Sequence, residues 1–175
     1  MPTNPGVNQY TVNTEFSTYR HPGSLASVIS RQYRFCAFEP TADTALECGV
    51  FVTLTPDALG NYRAKHLAAA TDKIYGVSYY NEQRIMDWSE PLKAFTYRQD
   101  DIVSLIEEGD IFMFAEVAVN AGDDVFTRFA PNGGLTRIGA LTNVAGTGVV
   151  AVPRAKFLKR MTAPGITQVS LPDLI

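Results

Sequence analysis

The ten residues "DIFMFAEVAV", Asp110 to Val119, constrain this chain more than any other stretch. They alternate in two registers at once. In an extended strand Ile111, Met113, Ala115, Val117 and Val119 share one side, and Phe112, Phe114, Glu116 and Ala118 share the other. A strand apolar on both faces must lie centrally in a layered β structure or be covered by a partner. The following "NAGD" supplies Asn and Gly, which tolerate positive φ, and predicts a hairpin loop over 120–123. "DVFTRFA" then returns as a strand with Val125, Thr127 and Phe129 on one face, and "PNGG" closes it.

Other segments obey the same period of two. Val50 to Thr55 is rich in strand formers, "TPDALGN" carries turn chemistry, and "YRAKHLA" follows as a partner strand. Lys73 to Tyr80 and Ile166 to Leu171 read as two more strands. Arg154 to Met161 has helix-like spacing, but Pro153 and Pro164 bound it and allow at most about two turns. The expected fold class is all-β, a β-sandwich, jelly-roll or barrel-like domain of roughly eight to ten strands with little helix. Residues 1–22 read as an extended N-terminal arm, because Pro2, Pro5 and Pro22 discourage helix. Residues 23–175 then form one β-rich domain, in which 81–101 is an irregular surface excursion.

The arm carries Tyr10, Val12, Phe16 and Tyr19, more large apolar groups than a solvated tail needs. It is expected to lie on a neighbouring subunit or to fold back on its own domain. Composition points to association as well. Charged residues make up 19% of the chain, below the usual share of about a quarter, beside ten Phe and eight Tyr. The net charge of −3 and scattered basic residues argue against a nucleic-acid partner, which needs clustered Lys and Arg. No run approaches the roughly 20 apolar residues of a membrane-spanning helix, and the first residues lack the apolar core of a signal peptide.

A search for chemistry finds little. His21 and His66 stand without a triad pattern. Glu107, Glu108 and Asp110 form one acidic cluster, and Asp123 and Asp124 another. Neither has the spacing of a calcium loop. Cys36 and Cys48 lack the paired-ligand pattern of a zinc site, and each is expected to be a buried thiol. Gly133–Gly134 and Gly146–Thr147–Gly148 lack the pattern of a phosphate-binding loop. No catalytic residue, cofactor or metal site is expected. The residues themselves predict an interaction protein, with Tyr10, Val12, Phe16, Tyr19, Phe112 and Phe114 as contact candidates. A glycan-binding β-sandwich is the alternative, with Trp88, Tyr79 and Tyr80 as the aromatic platform.

Several segments, taken in order, resemble the head cement, or decoration, proteins of tailed bacteriophages. They are "HPGSLAS", "LECGVFVTL" followed by "AKHLAAATDKIYGVSYYNE", "IEEGDIFMFAEVAVNAGDDVFTRF", and the closing "VPRAKFL" to "PGITQVSL". The resemblance covers about Pro22 to Leu171. The aromatic arm and the segment 81–101 depart from it. The resemblance implies a non-enzymatic virion protein, made in the host cytoplasm and placed on the outer surface of the phage head. Its implied partners are the major capsid protein and further copies of itself, as a trimer rather than a dimer, with no nucleic acid and no membrane.

Overall fold

A computed structural model describes residues 22–23, 31–37, 46–79, 96–97, 101–172 and 174. The described residues hold eleven strands and no helix. In chain order they are β1 (Arg31–Ala37), β2 (Leu46–Glu47), β3 (Phe51–Pro56), β4 (Tyr62–His66), β5 (Gly76–Ser78) and β6 (Thr96–Tyr97). There follow β7 (Ile102–Ala115), β8 (Asp124–Arg128), β9 (Leu141–Thr142), β10 (Val149–Phe157) and β11 (Gly165–Leu171).

The fourteen-residue β7 organises everything else. Its first half, up to Glu108, pairs with β1 and β5. Its second half, from Gly109 to Ala115, pairs with β11, and Ala115 also meets Leu141 of β9. Following the pairings gives two closed circuits. One runs β1–β4–β3–β5–β7 and back to β1; the other runs β7–β11–β10–β8–β9 and back to β7. The fold is all-β with barrel-like closure, and β7 is the stave common to both rings. Closure matters because an open sheet edge presents unpaired N–H and C=O groups, which a ring removes.

Apolar alternation explains the core. On β7, Val103 and Leu105 pack with Leu46, Cys48, Val50, Val52, Ala64 and Tyr97. Ile106, Ile111, Met113 and Ala115 join a larger cluster that draws Phe51 and Val77 from the first ring and Phe157 and Val169 from the second. One apolar cluster therefore spans both rings. Tyr97 is buried and its hydroxyl donates to the carbonyl of Tyr79. Within the segment read as an irregular excursion, Thr96–Tyr97 thus forms β6, which pairs with β2. Most of that segment lies outside the described residues.

The structure corrects three local expectations. First, β7 begins at Ile102, so Glu107, Glu108 and Asp110 lie inside the strand, where it passes from one ring to the other. Second, 120–123 is a turn but not a hairpin. The Asn120 N–H donates to Asp123 Oδ2 at 2.8 Å, yet β7 and β8 do not pair. β8 crosses to β10 and β9 instead, and the Gly122 N–H donates to the Phe157 carbonyl. Third, Arg154 to Phe157 is strand, not helix. Pro153 cannot donate to a ladder, and the register of β10 against β8 slips between Ala151 and Lys156. Arg154 sits in that bulge at φ 61°. The bulge separates the buried Val152 and Ala155 by three positions, which imitates a helical period.

Candidate docking surface

Of the contact candidates, Tyr10, Val12, Phe16 and Tyr19 lie outside the described residues, as do His21, Tyr80 and Trp88. Phe112 and Phe114 are described. Both are half-buried, on the face of β7 opposite Ile111 and Met113, and their backbones pair with Gln168 and Ile166 of β11. The guanidinium of Arg137 stacks over the Phe114 ring, 4.3 Å from its centre, and donates to Glu47 Oε2 at 2.7 Å. A loop of the second ring is thereby tied to β2. The sequence gives no sign of this tie, since Arg137 and Glu47 stand 90 residues apart.

Phe112 has a second role. Its carbonyl accepts the Gly23 N–H at 2.6 Å. Gly23 in turn lies against Gly49 so closely that a Cβ on Gly23 would come 2.7 Å from the Gly49 nitrogen. Both glycines have positive φ, 82° and 78°. Neither position has room for a side chain, and both backbones favour glycine. The "PG" of "HPGSLAS" is therefore a fastening point, which holds the chain at Pro22–Gly23 to β7 and to the β2–β3 turn. Gly49 is itself held by its N–H, which donates to the Ser78 carbonyl at 2.6 Å.

Among the described residues, the large apolar side chains that remain exposed are Leu59, Tyr62, Ile102, Val144 and Leu158. Two of them, Leu59 and Tyr62, stand at one turn. Asp57 builds that turn. Its Oδ1 accepts the N–H groups of Leu59 and Asn61, each at 2.9 Å, and its Oδ2 accepts Arg63 Nε at 3.0 Å. The Arg63 guanidinium, helped by the Asn61 and Leu59 N–H groups, pulls the Asp57 carboxyl down to about 2 against the opposing effect of desolvation. Asp123 is held below the usual carboxylate range in a similar way, first by the Asn120 N–H and then by the Asn143 amide.

The described residues contain no cluster of three or more His, Cys, Asp and Glu able to hold a metal ion. Asp124 is engaged by Lys156 at 2.6 Å. His66 lies on β4, and Cys48 is a buried thiol. Tyr79 is buried, so its ring offers no face to a sugar.

Residues 9–172 match the sequence profile of a structural cement protein family, E217 gp24/Pam3 gp6. The chain belongs to the phage structural cement proteins. The match includes every strand described above and extends back to residue 9. A chain from "The capsid of Myoviridae Phage XM1" shares the fold, with a TM-score of 0.61, 19% identity and full coverage of both chains. No curated protein sequence matches. A cement protein is a structural component of the virion that works in association with capsid proteins.

Proposed function

We propose that this cement protein binds the outside of the icosahedral phage head and bridges adjacent major capsid proteins, so that the shell resists the pressure of packaged DNA. The family match over residues 9–172 carries this reading. The fold is consistent with it. Within the two closed rings each strand is paired on both sides, so the rings can be pressed against neighbours without offering a strand edge of their own. Each molecule attaches through several modest contacts, and a symmetric oligomer, a trimer in this proposal, engages them together.

The arm is one of those contacts. Tyr10, Val12, Phe16 and Tyr19 pack on a neighbouring subunit, and the fastening at Gly23 fixes where the arm starts. In the sequence 21 residues stand before Pro22. A fully extended chain spans about 3.3 Å per residue, which is reach enough for contact with a neighbouring subunit. Phe112 meets the fastening through its backbone carbonyl, and Phe114 stands two residues further along β7.

The test is co-sedimentation with unexpanded and expanded heads of the encoding phage, using the full chain and a chain lacking residues 1–19. The full chain should bind expanded heads saturably. The truncated chain should bind them more weakly, with little change in the domain's own unfolding midpoint. Binding to neither form of head by the full chain discards the proposal. Equal binding by the truncated chain removes the arm from it.

A further inference from the structure

The turn between β3 and β4 is built to present an apolar knob. Its outward surface consists of Pro56, Ala58, Leu59, Gly60, Asn61 and Tyr62, all exposed, and none of them is charged. Leu59, at the tip, is 87% exposed, and Tyr62 is 57% exposed. Pro56 and Tyr62 are register partners, so the apolar surface continues across the base of the turn. The one charged residue between them, Asp57, is turned inward and consumed by the Leu59 and Asn61 N–H groups and by Arg63. The Asp57 N–H donates to the Asn61 carbonyl at 2.8 Å, and the Gly60 N–H to the Asp57 carbonyl at 3.0 Å. The tip is thus ordered before it meets anything. Docking it costs little conformational entropy, and the water-exposed Leu59 side chain gains by burial. Ile102, Val144 and Leu158 are also exposed, but each lies alone in sequence, which is ordinary for a protein surface.

We infer that the 56–62 turn is a plug that seats Leu59 and Tyr62 in a concave, apolar pocket on the surface of the capsid protein. This inference rests on the head-binding reading above. The size of the knob decides between occupants. A stable dimer of two copies needs roughly 800 Å² and 20–30 residues from each partner. A single seven-residue turn supplies far less, and two convex tips meeting across a two-fold axis would cover little of each other. Such a plug is effective where other contacts of the same molecule engage the same assembly, as on a repeating lattice.

The test uses the full chain, expanded heads and three variants: Leu59→Ser, Leu59→Ser with Tyr62→Ser, and Val144→Ser as a control on the second ring. The replaced side chains are exposed, and the hydrogen bonds of Asp57 to the turn use backbone N–H groups that survive the substitution at Leu59. Loss of one buried leucine contact predicts head affinity lower by about 10-fold or more for Leu59→Ser. The double variant should be weaker still, Val144→Ser unchanged, and the mass in solution of all three equal to that of the parent. Three results overturn the inference while leaving the head-binding reading intact: parental affinity for Leu59→Ser, an equal loss for Val144→Ser, or a change in oligomer mass instead of head affinity. Failure of the parent chain to bind heads overturns the reading itself, and the plug with it.

Discussion

The guanidinium of Arg128 closes on the carboxylate of Glu116, with Nε 2.9 Å from both oxygens, although the two strands that lead to them do not pair. Both side chains are almost wholly hidden from water, at 4% and 5% exposure. Glu116 raises the pKa of Arg128 above its usual value, against the opposing effect of burial. Removing one partner leaves the other charge buried alone. Arg128→Leu or Glu116→Ala should therefore cost about 3–5 kcal/mol. Replacing both with apolar residues should cost clearly less. Urea unfolding of the singles and the double checks this; additive losses would contradict it.

Gly23 and Gly49 give a contrast with Gly60. All three have positive φ, but a Cβ at Gly60 would meet nothing within 4 Å. Gly60→Ala should cost about 1 kcal/mol, from backbone strain alone. Gly49→Ala must in addition push against Pro22 and Gly23 and should cost about 2–4 kcal/mol. Unfolding midpoints of the two variants should separate accordingly. Gly49→Ala should also speed proteolysis near Pro22, because the fastening opens.

Asp57 sets an acid limit on the β3–β4 turn. Its folded pKa, about 2, lies below the ordinary value of 3.8. A depressed carboxyl contributes stability that is fully present above the unfolded value and fades as pH falls through the folded one. Part of the protein's stability should be lost between about pH 4 and pH 2 for this reason. Asp57→Asn should remove that part of the slope while leaving the rest of the acid transition. Stability measured against pH for both proteins, at fixed salt, makes the comparison.

Arg137 ties its loop to β2 by a partly exposed contact, with its side chain 37% exposed and that of Glu47 30%. Solvent screens such a pair, so Arg137→Ala should cost only about 1 kcal/mol, shared between the ion pair and the stacking on Phe114. A double-mutant cycle with Glu47→Gln should show weak coupling that shrinks at high salt.

The sequence made some of this legible. Alternation and turn residues located β3, β4, β5, β8 and β11 and the all-β class, because those signals are local. Closure was not legible. It depends on β1 meeting β7 and β9 meeting β7, pairings between distant segments that leave no local trace. The charged run at Glu107 to Asp110 hid the true start of β7, since acidic residues argue against a strand interior. In β10, one proline and its bulge turned a strand's spacing into a helix's. The plug at Leu59 was visible as a turn but not as a surface, because nothing local says that Asp57 points inward. The contact candidates from Tyr10 to Tyr19 fall outside the described residues.

A shared strand also settles how the molecule bears load. β7 runs unbroken from one ring into the other, so a pull that tends to part them travels along covalent backbone. The seven register pairs between β7 and β11 lie side by side along that line. Tension along β7 loads them in shear, together, instead of opening them one after another like a zip. A tether built this way yields late and all at once.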